Sequence, residues 1–504
     1  MRKYIEIMDT TLRDGEQMHG VSFSAEEKLS IARMLLKELN VDRIEVGSAR
    51  ASPGEKECVA KITEWAKMEN LLERVEVLGF VDGKKSVDWL KECDAKVLNL
   101  LAKGSLKHLS MQLRKTPGQH IADIKEVVEY ANGNKINVNV YLEDWSNGML
   151  DSQEYVMQLI AALEEMPVKR IMLADTLGIF APEETGKFIG IVMKRFPEIA
   201  FDFHAHDDYG LAVANSLAAI NSGIDCVHAT INGLGERAGN TALEEIAAVI
   251  NDKTEFETRL NENAIARASD LVEMFSGKRI CSNKPIVGDN AFVQTAGIHA
   301  DGDLKAGLYE SALKPDRFGK QREYALGKLS GHASLEQNLK KLGLSLNEDE
   351  KKKILGRIVQ LGDLKKSITT EDLPYIIADV LETPQQQKIQ IINCVVTSGK
   401  DVVPTATFTL KYSNSELKET ASGDGGYDAF MNALANAMKK LNMQLPELKD
   451  YEVRIPPGGK TDAIVETTIT WRRNGNEFKT IGVDSDQLMA AIKATEKMLN
   501  IIAK

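Results

Sequence analysis

The chain is 504 residues long, room for about three domains of ordinary size. Its 43% hydrophobic and 27% charged residues are the make-up of a packed globular protein and exclude wholesale disorder. With 63 basic and 74 acidic side chains it carries a formal charge of −11, which argues against nucleic acid or an anionic membrane as its main partner.

The opening residues, Met1-Arg-Lys-Tyr-Ile-Glu6, lack the apolar segment of a secretory leader. No uninterrupted apolar run of about 18 residues follows, so the expected location is the cytoplasm. Eight short β-branched or apolar runs then recur: Ile5–Met8, Arg43–Val46, Val75–Phe80, Lys96–Leu101, Ile136–Tyr141, Arg170–Leu173, Ala200–Phe203 and Cys226–Thr230. Between them apolar residues fall three and four apart, as in Leu29, Ala32, Leu35, Leu36 and Leu39, the spacing of a helix with one buried face. Eight strand–helix units predict a (β/α)8 barrel over residues 1–275, with an open doubly wound sheet as the structural alternative. Reactive residues gather just after the runs: Asp9 to Asp14, Tyr141 to Asp144, Asp175-Thr176 and His204 to Asp208. Barrel active sites lie on that C-terminal face, which favours the barrel.

After the barrel, residues 276–325 carry Gly, Pro, Lys and Arg without periodicity and read as a loop-rich linker subdomain. Residues 326–386 read as a small helical subdomain marked by Leu335, Leu339, Leu342, Ile354, Ile358 and Leu361. Residues 387–504 read as an α+β domain with strands at Ile389–Val396, Thr405–Tyr412 and Thr467–Trp471, helices at Asp428–Leu441 and Ser485–Leu499, and no strong internal repeat. The five cysteines, Cys58, Cys93, Cys226, Cys281 and Cys394, form no C-x-x-C pair and are expected as reduced thiols.

The sharpest chemical feature is Phe203-His204-Ala-His206-Asp-Asp208. Alternate residues of a strand face one way, so His204 and His206 can share a divalent metal. Asp14, in Asp9-Thr-Thr-Leu-Arg-Asp-Gly-Glu-Gln17, is the candidate third ligand. Its neighbour Arg13 can hold a small carboxylate with two parallel hydrogen bonds. Asn232-Gly-Leu-Gly-Glu-Arg-Ala-Gly-Asn240 has glycines in the wrong spacing for a dinucleotide loop and reads as a turn that carries Asn240 to the metal, with simple backbone freedom as the competing explanation. Glu143 and Asp175 are each a salt-bridge partner or an acid/base, and Asp202 is placed to orient a histidine. His299, in Gln294-Thr-Ala-Gly-Ile-His-Ala-Asp-Gly302 with Asp301 nearby, has the setting of a mobile catalytic segment. His19, His108, His120, His228 and His332 have no comparable context.

Taken together, Asp9 to Gln17, His204-Ala-His206 and Asn232 to Asn240 resemble three signatures of the acyl-CoA Claisen condensing enzymes, the 2-isopropylmalate, homocitrate and citramalate synthases related to hydroxymethylglutaryl-CoA lyase. The resemblance extends through Gly297-Ile-His-Ala-Asp-Gly302 and Ala325-Leu-Gly-Lys-Leu329 into Gly423-Asp-Gly-Gly-Tyr-Asp-Ala429 and Arg454-Ile-Pro-Pro-Gly-Gly-Lys-Thr-Asp-Ala463, which look like the amino-acid-sensing regulatory domain. Gly47-Ser-Ala-Arg50 and Tyr141-Leu-Glu-Asp-Trp-Ser-Asn-Gly148 are similar to the citramalate branch.

The resemblance implies an acyltransferase that condenses acetyl-CoA with a 2-keto acid and hydrolyses the thioester. It implies a cation held by Asp14, His204, His206 and Asn240. The oxygen and nitrogen donors favour Mg²⁺ or Mn²⁺ and are compatible with Zn²⁺. Arg13 would neutralise developing charge, Thr176 would hold the keto-acid carboxylate, and Tyr309 would contact acetyl-CoA. Leu78, Leu101 and Tyr141 match the residues that line the keto-acid pocket, and their bulk points to pyruvate as the substrate. His299 with Glu143 and Asp301 is the candidate base assembly. Gly425, Tyr427, Asp428, Pro457, Thr461 and Ala463 are the candidate regulatory residues, with isoleucine the expected inhibitor, and a homodimer is implied. The alternative within the family is a 2-isopropylmalate synthase acting on 2-ketoisovalerate.

Overall fold

The computed structural model describes residues 3–363, 368–381, 388–412, 415–454 and 465–503. Eight parallel strands close into a barrel: β1 (Glu6–Asp9), β2 (Arg43–Ser48), β3 (Val75–Phe80), β4 (Val97–Lys103), β5 (Asn137–Glu143), β6 (Val168–Asp175), β7 (Phe201–Ala205) and β8 (Cys226–Ala229). Closure is made by β8 pairing back onto β1, Glu6 opposite Cys226 and Asp9 opposite Ala229. Each expected run is one of these strands, and the barrel replaces the open-sheet alternative.

The alternation within each strand explains why the sheet closes with helices outside. Ile7, Ile44, Val77, Leu98, Val140, Leu173, Phe203 and Val227 are buried in one large core shared with the surrounding helices. Their strand neighbours, among them Glu45, Glu76, Asn99, Asn139 and Asp202, are equally buried but polar, and they occupy the other face, toward the barrel axis. Helices start at defined caps: Ser24 and Glu27 form a capping box for Ala25–Arg33, and Thr116 with Gln119 does so for Pro117–Gly133.

Two compact units divide the chain, residues 1–292 with 310–322, and residues 293–309 with 323–504. The expected linker subdomain is therefore not one body. Ile286, Val287 and Phe318 join the barrel core, and Arg317 pairs there with Asp252 at 2.7 Å and with Glu262. Gly297–Ala306, read as a mobile loop-like segment, is a helix of ten residues that ends at Gly307 with φ +60°. Its sequence GIHADGDLKA has no apolar stripe, so periodicity could not reveal it.

In the second unit, helices His332–Lys341, Glu348–Asp363 and Leu373–Val380 surround Leu335, Leu339, Ile354, Ile358 and Leu373. A β-β-β-α arrangement follows twice: β9 (Ile389–Gly399), β10 (Val402–Tyr412) and β11 (Ser415–Ser422) before helix Gly426–Lys440, then β12 (Glu447–Arg454), β13 (Val465–Arg473) and β14 (Asn476–Asp484) before helix Gln487–Ile502. Within these two sheets the described strand pairs are antiparallel, and the shared core includes Phe408, Phe430, Trp471 and Met498. The halves share an element order that their residues do not spell out, so the duplication appears in the fold and not as a strong sequence repeat. The additional strands β11, β12 and β14 carry long charged residues on an exposed face, as in SELKETAS, which obscured them. No helix among the described residues is long and apolar enough to cross a membrane.

Candidate active site

The site begins where β1 ends. The buried Asp9 carboxylate accepts the Thr11 amide and hydroxyl protons, each at 2.9 Å, and the Arg13 and Asp14 amides turn back to Thr10 O at 3.1 and 2.8 Å. Burial pushes the Asp9 carboxyl up to about 7. Beneath the turn, the fully buried Lys28 ammonium donates to Leu12 O at 3.1 Å and Val46 O at 3.3 Å, and pairs with Glu16 and Glu55. The Arg13-Asp14 segment is therefore bolted to the barrel before any ligand arrives.

His204, on β7, and His206, just beyond it, direct their Nε2 atoms together, 3.4 Å apart. Asp14 Oδ2 lies 3.4 Å from His204 Nε2 and 3.9 Å from His206 Nε2. His206 bridges to Asn240 through an antiparallel β-bridge, and Asn240 Nδ2 donates to Asp14 Oδ1 at 2.9 Å. A Cβ at Gly235 would collide with the Asn240 amide, and Gly239 has φ +101°, so the glycines are what let this loop fold back over the site.

These residues fit a divalent cation. Asn240 Oδ1 is buried with no hydrogen-bond donor, the state of an acceptor kept for something else. Burial lowers both imidazoles, His206 to about 4, so both present lone pairs at neutral pH. Burial alone would raise the Asp14 carboxyl, but Arg13 and His204 hold it well below the ordinary value, so it is ionised. A second cluster, Asp202, Cys226 and His228, also brings ligand atoms together. There the Arg43 guanidinium already stands 2.5 Å from Asp202 and 3.0 Å from Cys226 Sγ, and its positive charge fills the place of a cation.

Arg13 is one link in a closed circuit of buried side chains inside the barrel. It donates Nη1 to Asp14 at 2.5 Å and Nε to Glu45. Asn99 donates to Glu45 at 2.7 Å, and Asn139 donates to Asn99 at 2.9 Å and to Glu76 at 3.3 Å. Arg43 joins Glu76 at 2.8 Å to Asp202, Asp202 lies 3.1 Å from His228 Nε2, and His228 Nδ1 lies 3.0 Å from the Tyr141 hydroxyl. Tyr141 returns to Arg13 at 3.4 Å. No sequence motif marks Glu45, Asn99, Asn139 or Arg43, and His228 has no comparable context in the sequence. Their signal lies in polar residues set among apolar ones, as Glu45 in RIEVGS and Asn99 in VLNLLAK. Asp202 does orient a histidine, but that histidine is His228.

Leu78 and Tyr141 cluster with Met8, Met172 and Cys226, with Leu101 packed against them, as the apolar patch of the same interior. Thr176 Oγ1 accepts the Asp144 amide proton at 2.8 Å, which leaves its own O–H to donate outward. Asp144 adopts φ +62° to make that contact, held by Ser105 at 2.6 Å and Asn147 at 2.8 Å. Asp175 is a structural acceptor for the Ile179 and Phe180 amides at 3.0 and 3.2 Å. Glu143 forms an ion pair with Lys103, which no sequence motif marks.

The remaining candidates belong to the second unit. His299 packs against Tyr309 with ring centroids 4.4 Å apart, and Asp301 pairs with Lys305 at 2.7 Å on an exposed helix turn. Gly425 is the N-cap of helix Gly426–Lys440, Tyr427 shares a 2.7 Å hydrogen bond with Thr495, and Asp428 accepts the Asp424 amide at 2.9 Å. Pro457, Thr461 and Ala463 lie outside the described residues.

Residues 4–272 match the HMGL-like family, residues 286–366 the homocitrate synthase post-HMGL domain-like family, and residues 367–503 the LeuA allosteric (dimerisation) domain. A Methanopyrus kandleri chain provisionally named an (R)-citramalate synthase is 36% identical over 93% of this chain and 90% of its own. The (R)-citramalate synthase of Methanocaldococcus jannaschii is 32% identical over 99% of both chains. The 2-isopropylmalate synthase of Aquifex aeolicus is 34% identical over 99% of this chain and 96% of its own.

Proposed function

Because the chain belongs to the HMGL-like family, among the citramalate and 2-isopropylmalate synthases, we propose that it catalyses the (R)-citramalate synthase reaction, condensing acetyl-CoA with pyruvate and hydrolysing the thioester. The observation that supports the choice of pyruvate is the apolar patch of Leu78, Tyr141 and Leu101 in the barrel interior. Bulk there leaves room for a methyl substituent and opposes an isopropyl one.

Asp14, His204 and His206, with Asn240, would hold the cation, Mg²⁺ or Mn²⁺ by donor type, with Zn²⁺ compatible. When bound it supplies Lewis-acid polarisation of the ketone and stabilisation of the alkoxide. Arg13 gives the developing oxyanion a fixed positive partner, pre-organised by Glu45 and so needing no reorientation. Thr176 offers its O–H to the pyruvate carboxylate. A base drawn from Glu143, His299 and Asp301 removes a methyl proton of acetyl-CoA. The resulting carbanion equivalent forms the new carbon–carbon bond to the keto carbon. The alkoxide takes up a proton, and water cleaves the thioester to citramalate and free CoA. Tyr309 contacts the acetyl-CoA.

Isoleucine acts as a feedback inhibitor through residues around Gly425, Tyr427 and Asp428, a reading supported by the match to an allosteric domain. The same match, to a dimerisation domain, supports a homodimer. The enzyme works in the cytoplasm, on no nucleic acid and at no membrane. The test is release of free thiol from acetyl-CoA with pyruvate or 2-ketoisovalerate, with and without a chelator. Higher kcat/KM with 2-ketoisovalerate would replace this reading with that of a 2-isopropylmalate synthase.

A further inference from the structure

His228 sits on β8 with its ring turned to the barrel axis and no accessible surface to speak of. Both ring nitrogens are engaged. Nε2 is 3.1 Å from Asp202 Oδ2, and Nδ1 is 3.0 Å from the Tyr141 hydroxyl. Asp202 is gripped by Arg43 at 2.5 Å and Arg170 at 2.8 Å and is therefore ionised, an acceptor only. The hydrogen-bond network thus assigns the proton to Nε2, and Nδ1 keeps the lone pair that receives the Tyr141 proton. The Tyr141 ring stands edge-on to His204 and His228, with centroids 5.9 and 5.5 Å away, and forms part of the patch with Leu78 and Leu101.

A tyrosine ring turns about two side-chain dihedrals, and in a packed interior its hydroxyl bonds add to the restraint that its neighbours give. Here the hydroxyl has one close partner, His228, and two longer ones at 3.4 Å, Arg13 and Glu45. We propose that His228 is a positioning residue that fixes the Tyr141 ring as the unyielding wall of the keto-acid pocket, and so sets the largest side chain the enzyme accepts. The proposal rests on the pyruvate reading above. It adds that selectivity comes from the tether as well as from the bulk of the wall. Without the tether, the ring gives way to a branched substituent while the cation ligands keep their places.

The experiment measures kcat/KM for pyruvate and for 2-ketoisovalerate in the full-length enzyme. In His228→Gln the amide nitrogen stands near the place of Nε2, so the Asp202 contact survives and the Tyr141 acceptor is lost. The preference for pyruvate should fall about threefold to tenfold, the worth of one neutral hydrogen bond. In His228→Asn the Oδ1 stands near the place of Nδ1, and the preference should be kept. Tyr141→Phe should reproduce the loss, and His228→Gln should change nothing further in that background. An unchanged preference in His228→Gln, an equal loss in His228→Asn, or an additive loss in the double variant would each overturn the proposal. If His228→Gln does not fold, Tyr141→Phe with an unchanged preference overturns it alone. A wild-type enzyme with no preference for pyruvate would instead refute the substrate reading.

Discussion

Lys103 and Glu143 stand opposite each other in the register of β4 and β5, and their charged ends meet at the C-terminal mouth of the barrel. Glu143 thereby has a fixed position next to a cation. If it belongs to the base assembly, Glu143→Gln should lower kcat about 10²-fold or more, the ordinary contribution of a positioned acid–base group. Lys103→Met should lower it less, about tenfold, by freeing the carboxylate. Steady-state kcat for both variants checks the order, and equal activity in Glu143→Gln removes the residue from the mechanism.

The cation site can be tested apart from turnover. His204→Ala or His206→Ala should abolish stoichiometric Mn²⁺ binding in calorimetry. Chelation of the wild-type enzyme should lower its melting temperature, because a ligand held only by the folded state stabilises it by mass action. The alanine variants should show no such response to chelator.

Arg13 uses two different nitrogens on Glu45 and Asp14. Lysine carries one compact charge and cannot span both. Arg13→Lys should lower kcat/KM about 10²-fold, comparable to loss of one oxyanion donor, and should lower the melting temperature as well, because one of the two buried carboxylates loses its partner. Activity within threefold of wild type would show that charge alone suffices.

His120 predicts a pH effect on stability. Its buried Nε2 accepts the Lys103 amide proton at 3.1 Å, and burial lowers its pKa to about 4. Between that value and the ordinary 6.5 the unfolded chain binds more protons than the folded one. The contribution of His120 to stability is therefore lost as pH falls through this window. His204, His206 and His228 are shifted the same way and add to the slope. His120→Gln, which retains an acceptor, should flatten part of the fall in melting temperature between neutral pH and pH 5, and an unaltered slope would contradict the assignment.

The regulatory reading predicts that isoleucine inhibits the full-length enzyme, and that Asp428→Ala raises the concentration needed. Inhibition unchanged by Asp428→Ala would move the effector away from the start of helix Gly426–Lys440.

Much of this molecule was legible in its residues. The barrel was visible because β-branched runs and helical periodicity alternate eight times, and Asp14, His204 and His206 because reactive side chains follow strand ends. What stayed hidden has physical reasons. Helix Gly297–Ala306 lacks an apolar stripe. The β-β-β-α duplication preserves element order without preserving side chains. The Glu45–Asn99–Asn139 chain is assembled from three strands, and no linear motif contains it. His228 sits in a short apolar strand where a lone histidine reads as filler, and only its two contacts give it meaning.

The circuit of buried charge inside the barrel limits how such a protein can drift. Removing one member strands its partner without water or counter-charge, a loss of about 3–5 kcal/mol. Neutral replacement of both members at once can be tolerated. The interior should therefore evolve by correlated double steps, with strong epistasis among Arg13, Glu45, Arg43, Glu76 and Asp202, while the helix-facing side of the same strands accepts single conservative exchanges.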